Sequence, residues 1–302
     1  ALFAALSAGE RKFKRIAVIN VLNLPKFAEE ALRGYSEVEI IFPGADSQSE
    51  EETIKIIGDA DAVLGSWNST ITPKVLDACP HVKYIGICGT SLTKVDTADV
   101  QRRGIILKNV IDYGDEATAE FIFSQLLNLF RGFGKYQWDD QPSELNGKKI
   151  GIVGLGAVGQ QVARLALGFN MGVSYFSRTR NLEWESKGLV YKSLEDLLPS
   201  CDIVSIHVPR NLKILAQKEF NLIKPKTVLV NTAIGSVFDL PNFVDWIKKG
   251  KNFVIFDNQE YIHQISDLPN VIALSITAGK TKESVARLGK KVLDNIKSYL
   301  DL

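Results

Sequence analysis

The feature that most constrains this chain is the run Ile150-Gly-Ile-Val-Gly154-Leu-Gly156-Ala157-Val158-Gly159, where a short apolar stretch breaks into glycines spaced G-x-G-x-x-G and then passes into a helix-like pattern. In such a segment the first glycine permits a tight strand-to-helix turn. The second lets a pyrophosphate approach the backbone, and the third lets the helix pack close on the strand, so that the phosphates meet the helix N-terminus. The apolar run before the glycines, the helical pattern through Leu167 and a second apolar run, Val173 to Ser177, supply most of a βαβ unit. This context predicts a dinucleotide site built on Gly154, Gly156, Ala157, Val158 and Gly159.

The residues just past the second strand bear on which dinucleotide is bound. About 20 residues past the glycines, an NAD-preferring site keeps an Asp or Glu for the ribose hydroxyls. Here the chain reads Ser177-Arg178-Thr179-Arg180. A carboxylate there repels a 2′-phosphate, whereas hydroxyls and a guanidinium can bind it through charge-assisted hydrogen bonds. NADP(H) is therefore expected in preference to NAD(H), with Ser177, Arg178 and Thr179 as its recognition residues.

The rest of the chain alternates short β-rich runs with amphipathic stretches: Ile16 to Asn20, Phe27 to Arg33, Val38 to Phe42, Glu51 to Ile57, Ala62 to Gly65, Pro73 to Cys79 and Val82 to Ile87. A second set runs from Lys149 through Val173 to Ser177, Ile203 to His207, Thr227 to Asn231 and Phe253 to Phe256. Strands alternating with helices imply parallel sheets covered on both faces. The expected fold class is therefore α/β, with two Rossmann-like domains: a flavodoxin-like substrate domain and a dinucleotide-binding domain. Glu116 to Arg131 holds no Gly or Pro and reads as a long buried helix between them. Val285, Leu288, Val292, Ile296 and Leu300 recur near helical spacing in a stretch with no strand of its own to cover. The expected division is residues 1–111 with 279–302 as the substrate domain, and 112–278 as the nucleotide domain.

Composition narrows the function classes. With 36 basic against 35 acidic residues, 45% apolar and 24% charged residues over 302 positions, neither nucleic acid nor an anionic membrane is an expected partner. Cys79, Cys88 and Cys201 form no C-x-x-C pair and suggest neither a disulfide framework nor a zinc site, so no metal is expected and a reducing cytoplasm is the expected location. Residues 1–9 are apolar but lack a basic flank and are far too short to span a bilayer, so they do not read as a signal or an anchor.

Several further motifs occur in order. They are Cys88-Gly89-Thr90-Ser-Leu-Thr-Lys-Val-Asp96, Arg103-Gly-Ile to Asn109, Ala117-Thr-Ala-Glu120, His207-Val208-Pro209, Val230-Asn-Thr232-Ala233-Ile234-Gly-Ser236 and Leu268-Pro-Asn to Gly279. On these motifs, from about Ile16 to the C-terminal helix, the chain resembles the D-isomer-specific 2-hydroxyacid dehydrogenase family. The resemblance implies a small-molecule carbonyl substrate whose carboxylate is received by the loop at Gly89 and Thr90. It implies cofactor contacts from His207, Val208, Pro209, Thr232, Ala233, Ile234 and Asp257, and a homodimer paired through residues around Glu120 to Trp138.

The departures from the family pattern fall on the chemistry. The family's Arg, which polarises the 2-oxo group and holds the carboxylate, matches Ile234, and its His, the general acid and base, matches Ile276. The family's Glu, which raises that His pKa, corresponds either to Ile262 or, allowing a short deletion, to Glu260. Two functions stay open. One is an NADPH-dependent reductase of altered chemistry acting on an uncharged or bulky carbonyl compound, drawing on Glu260 and His263 as catalytic groups, with Tyr261, Tyr113 and Lys280 as further polar candidates. The other is a catalytically inactive NADP(H)-binding sensor or interaction protein. His81 reads as a surface residue and His207 as part of the cofactor pocket.

Overall fold

A computed structural model describes residues 12–257 and 262–301, and of Ile262 its backbone alone. The chain divides into two compact units, one formed by residues up to Tyr113 together with those from Lys282 onward, the other by Gly114–Thr281.

The first unit contains β1 (Ile16–Val18), α1 (Lys26–Arg33), α2 (Glu50–Ile57), β2 (Ala62–Ser66), α3 (Pro73–Ala78), β3 (Tyr84–Cys88), α4 (Thr97–Arg102) and β4 (Ile106–Asn109). Its strands form a parallel sheet in the order β1-β2-β3-β4. Ser49, Thr72 and Asp96 each accept an amide of the following first turn, which satisfies a helix donor that would otherwise lack a partner and fixes where α2, α3 and α4 begin. The C-terminal helix, Lys282–Leu300, lies on this unit and buries Leu288, Val292, Ile296 and Leu300 in one core with Ala28 and Leu32 of α1. Gly289 makes the close approach to α1 possible, since a Cβ there would stand 2.7 Å from Pro25 Cγ.

Val38 to Phe42, read from sequence as a β-rich run, forms no regular strand. The single bridge nearby, between Phe13 and Ser36, falls just before the run, and among the described residues none of Val38 to Phe42 pairs with a strand. Side chains take the carbonyls a neighbouring strand would have used: Ser36 Oγ donates to Val38 O at 2.7 Å and Arg33 Nη1 to Ile40 O at 3.0 Å.

The second unit runs α5 (Asp115–Arg131), β5 (Lys149–Val153), α6 (Ala157–Gly168), β6 (Gly172–Phe176), α7 (Leu182–Ser186), β7 (Val190–Tyr191), α8 (Leu194–Leu197), β8 (Ile203–Ile206), α9 (Gln217–Leu222), β9 (Val228–Asn231), α10 (Leu240–Lys249), β10 (Phe253–Phe256), α11 (Ile262–Ile265) and β11 (Val271–Ala273). Its seven parallel strands follow the order β11-β10-β9-β8-β5-β6-β7. Strands β5, β8, β9 and β10 are buried along nearly their whole length, which is why they read as continuous Val and Ile runs rather than as alternation. The chain leaves β5 toward β6 on one side and returns to β8 on the other, so a topological switch lies between β5 and β8 at their carboxyl ends.

After α5 the chain is held down by Trp138, whose indole stacks on Phe130 at 4.6 Å between centroids and donates to Lys226 O at 2.8 Å. Of the three cysteines, Cys79 and Cys88 are buried in the first unit and Cys201 in the second. Burial raises all three thiol pKa values, that of Cys88 to about 12.

Candidate functional site

The glycine turn sits at the switch point. Gly154 follows β5 with φ +98°, a conformation that L side chains rarely adopt, and a Cβ on it would overlap the carbonyl oxygen of His207 at the end of β8. The two strand ends are thus in backbone contact. Gly159, inside the first turn of α6, packs against Gly154 O so closely that a Cβ there would overlap it. Gly156 is different: it is extended, caps α6 without a side chain, and a Cβ on it would meet nothing within 4 Å. Of the three glycines, only this one faces open space.

The first amides of a helix have no intrahelical acceptor. Here they lie behind a glycine with no capping side chain, at the positive end of the α6 dipole, which suits an anion. The turn therefore fits the pyrophosphate of a dinucleotide.

Beyond β6, the residues of the predicted specificity segment part company. Arg178 is exposed and makes no hydrogen bond or ion pair among the described residues, while the Ser177 hydroxyl turns back to Thr179 O. Arg180 is occupied: its Nε donates to Glu185 Oε1 at 3.1 Å, its Nη2 donates to Glu185 Oε2, and its guanidinium lies 5.3 Å from the Tyr191 ring centroid. Of the two arginines, only Arg178 is left to face a ligand.

The remaining candidates of this unit lie along the same carboxyl edge. His207 N donates to Val153 O at 2.7 Å, and its Nε2 shares a 2.8 Å hydrogen bond with Ser205 Oγ. Burial of the ring pushes its pKa down to about 3, so the imidazole is neutral at physiological pH and is not an acid for chemistry there. Val208 and Pro209 continue from it. Past β9, Asn231 Oδ1 accepts from Ala233 N at 3.0 Å and sets the course of Thr232, Ala233 and Ile234. Asn211 N reaches Ile234 O at 3.4 Å, which joins the loops after β8 and β9.

Asp257, at the end of β10, is buried and accepts from Ala278 N at 3.1 Å, so its carboxylate tethers the segment that carries Ile276. Ile234 and Ile276 are 49% and 56% exposed. These two positions thus present apolar side chains to solvent at the carboxyl ends of the strands; they are not sealed into a core.

The catalytic candidates fare less well. Glu260 and Tyr261 lie outside the described residues, as does the Ile262 side chain. His263 stands exposed in α11, on the connection from β10 to β11, and Lys280 is exposed. Among the described residues no group of three or more His, Cys, Asp or Glu could hold a metal, and no helix is long and apolar enough to cross a membrane. His81 is exposed in the first unit.

In that unit the Gly89 and Thr90 loop is fixed by Asn109 Nδ2 donating to Thr90 O at 2.8 Å, Thr90 Oγ1 to Val110 O at 3.1 Å and Val110 N to Gly89 O at 3.1 Å. Tyr113, at its end, accepts from Arg287 Nε at 2.9 Å through its carbonyl. Sequence reasoning missed the Tyr175 and Glu185 pair that holds the Arg180 loop. Its only signals were a Tyr in a buried strand and a Glu ten residues on, and such a pair carries no recognisable spacing.

Residues 125–276 match the family profile described as D-isomer specific 2-hydroxyacid dehydrogenase, NAD binding domain. A glyoxylate reductase of Thermococcus kodakarensis is 30% identical over 275 residues, 82% of this chain and 82% of that protein. Among solved structures, an acyclic imino acid reductase in complex with NADPH and D-Arg superposes with a TM-score of 0.83 at 27% identity, covering 95% of this chain and 97% of the other. A D-lactate dehydrogenase from Aquifex aeolicus, complexed with NAD and lactic acid, shares the fold with a TM-score of 0.79 at 23% identity over 95% of this chain and 96% of the other.

Proposed function

We propose, for a chain that belongs to the D-isomer-specific 2-hydroxyacid dehydrogenase family, that it uses NADP(H) and reduces an uncharged or bulky carbonyl compound rather than a small 2-oxo acid. The observation that carries this reading is one sheet edge with two characters. Its glycine turn is open at Gly156 and Arg178 stands unpaired among the described residues, whereas Ile234 and Ile276 are exposed and apolar.

On this reading Gly154, Gly156, Ala157, Val158 and Gly159 hold the pyrophosphate, and Ser177, Arg178 and Thr179 hold the 2′-phosphate. His207, Val208, Pro209, Thr232, Ala233, Ile234 and Asp257 line or support the rest of the dinucleotide site. The bound nicotinamide supplies hydride. The chain's own contribution is then orientation, exclusion of water by Ile234 and Ile276, and loss of the guanidinium that would hold a substrate carboxylate at position 234, since a carboxylate left without a partner against apolar surface is penalised. The Gly89 and Thr90 loop receives the substrate, and the working assembly is a homodimer paired around Glu120 to Trp138.

A second substrate class is suggested by the residue at position 276. Hydride addition to a ketone leaves an alkoxide that must be protonated, the task for which Ile276 has no group. Hydride addition to a protonated imine gives a neutral amine directly and needs no protein acid. A relative of 27% identity is named as an imino acid reductase with NADPH bound, which favours including imines in the substrate range.

The test is a calorimetric titration with NADPH and NADH, followed by a turnover screen over aldehydes, ketones, 2-oxo acids and imines. Tighter NADPH binding with reduction of neutral carbonyls or imines is the expected result. NADPH binding without turnover on any of them makes the protein an NADP(H)-binding sensor or interaction protein instead.

A further inference from the structure

We propose that the Arg180–Glu185 ion pair is a charge mask that sets the strength of NADP(H) preference: Glu185 is a carboxylate built into the 2′-phosphate arm, and Arg180 is spent cancelling it. The inference rests on the reading of Ser177 to Thr179 as that arm. Tyr175, fully buried in β6, uses one hydroxyl for two purposes, accepting from Asn181 N at 2.7 Å and donating to Glu185 Oε1 at 2.7 Å. This locks Glu185 to the turn that begins at Ser177. The Glu185 side chain is only 18% exposed, so water screens it less than a surface carboxylate. Arg180 closes on it with two donors while lying over Tyr191.

The remaining charges of the arm pair off in the same way, since Lys187 Nζ lies 2.6 Å from Glu183 Oε1. Among the described residues Arg178 is left as the single uncompensated charge of the arm. The Arg180 guanidinium and the Tyr175 hydroxyl hold the Glu185 carboxyl below its ordinary pKa, so it stays ionised at physiological pH and its charge is always present to be masked.

The arm's net charge then orders the variants. Arg180→Ala exposes Glu185 and leaves the arm neutral. Glu185→Gln frees Arg180 and adds a positive charge. The double variant Arg180→Ala with Glu185→Gln returns the arm to its starting charge. Removing or adding one charge on the arm, in an environment of intermediate dielectric, is expected to change NADPH binding by roughly three- to tenfold.

The experiment is a titration of NADPH and NADH with the intact chain and its variants, read as the ratio of the two dissociation constants, with thermal stability recorded in parallel. The expected order of NADPH preference is Glu185→Gln above the unaltered chain, the double variant equal to it, and Arg180→Ala below, with NADH affinity nearly constant. A fall in NADPH preference in Glu185→Gln, or no recovery in the double variant, overturns the proposal. Should Glu185→Gln fail to fold, the single Arg180→Ala, which keeps the Tyr175 hydroxyl bonded to Glu185, still decides it through the same ratio: an unchanged NADPH preference there overturns the proposal. Arg178→Ala separates the two levels: if it leaves NADPH affinity unchanged, the arm itself is misassigned, whereas a large loss there with no charge ordering at Arg180 and Glu185 refutes the mask alone.

Discussion

The same substitution at the three glycines of the turn has different consequences at each, and the differences stem from what a methyl group meets. At Gly154 the backbone is at φ +98° and the new Cβ overlaps the His207 carbonyl, which is backbone and has little room to move. Forcing an L residue into a left-handed conformation costs about 1 to 2 kcal/mol, and overpacking adds roughly 1 to 3 kcal/mol, so Gly154→Ala loses about 2 to 5 kcal/mol of stability. In a unit running from Gly114 to Thr281, each kcal/mol moves the melting temperature by about 2 to 4 °C, so a fall of roughly 4 to 20 °C is expected.

At Gly156 the backbone is at φ −79° and the methyl enters empty space, so folding changes by no more than about 0.5 kcal/mol. The methyl nevertheless stands where a pyrophosphate must approach the α6 amides. NADPH binding is expected to weaken at least about tenfold, equivalent to about 1.4 kcal/mol. Gly159→Ala falls between: it gains about 1 kcal/mol of helix propensity and loses more than that against Gly154 O. Scanning calorimetry gives the stability order and calorimetric titration the affinity order. A Gly156→Ala protein that melts early, or that binds NADPH as before, refutes the assignment of this turn.

Arg178→Ala is expected to reduce NADPH affinity by roughly 1 to 3 kcal/mol while leaving NADH binding and the melting temperature unchanged, because its exposed side chain has no bond to lose among the described residues. Pyruvate, glyoxylate and hydroxypyruvate are expected to show no appreciable reduction even at saturating concentration, and Ile234→Arg with Ile276→His to restore weak activity; turnover of any of the three by the unaltered chain at about 1 per second or faster contradicts this. His207 takes up a proton near pH 6.5 when unfolded but only near about pH 3 when folded, so its contribution to stability is complete above the former and falls by up to about 1.4 kcal/mol per pH unit between the two. Denaturant titrations at pH 7.5 and 4.5 should show that loss in the unaltered chain and a smaller one in His207→Gln. Light scattering at micromolar concentration is expected to give a dimer, and a monomer there removes the assigned pairing.

The parts of the molecule legible in the sequence are those where one local pattern has one physical solution. Three glycines after an apolar run can hardly make anything but a tight strand-to-helix turn, and the unbroken Val and Ile runs of β5, β8, β9 and β10 can be covered only on both faces. The parts that were not legible depend on partners far away in the chain. Val38 to Phe42 has strand-forming residues, but Ser36 and Arg33 engage its carbonyls instead of a neighbouring strand. Residues 97–102 make a helix because Asp96 accepts the Asp99 amide, a cap hidden inside what reads as a substrate loop. Arg178 and Arg180 look equivalent on paper, and only the position of Glu185 separates a free guanidinium from an occupied one. Asp257 likewise reads as a ligand contact, and nothing in its neighbours announces that its carboxylate holds the amide of Ala278.

The placing of the cysteines turns the chain into its own recorder of motion. Each thiol is buried with a raised pKa, so none can react with an alkylating reagent unless the surrounding structure opens. Cys79 and Cys88 report on one unit and Cys201 on the other. Mass spectrometry of the labelled peptides therefore times the breathing of the two units separately within a single sample, and a ligand that binds only the glycine turn should slow the labelling of Cys201 while leaving the other two at their own pace.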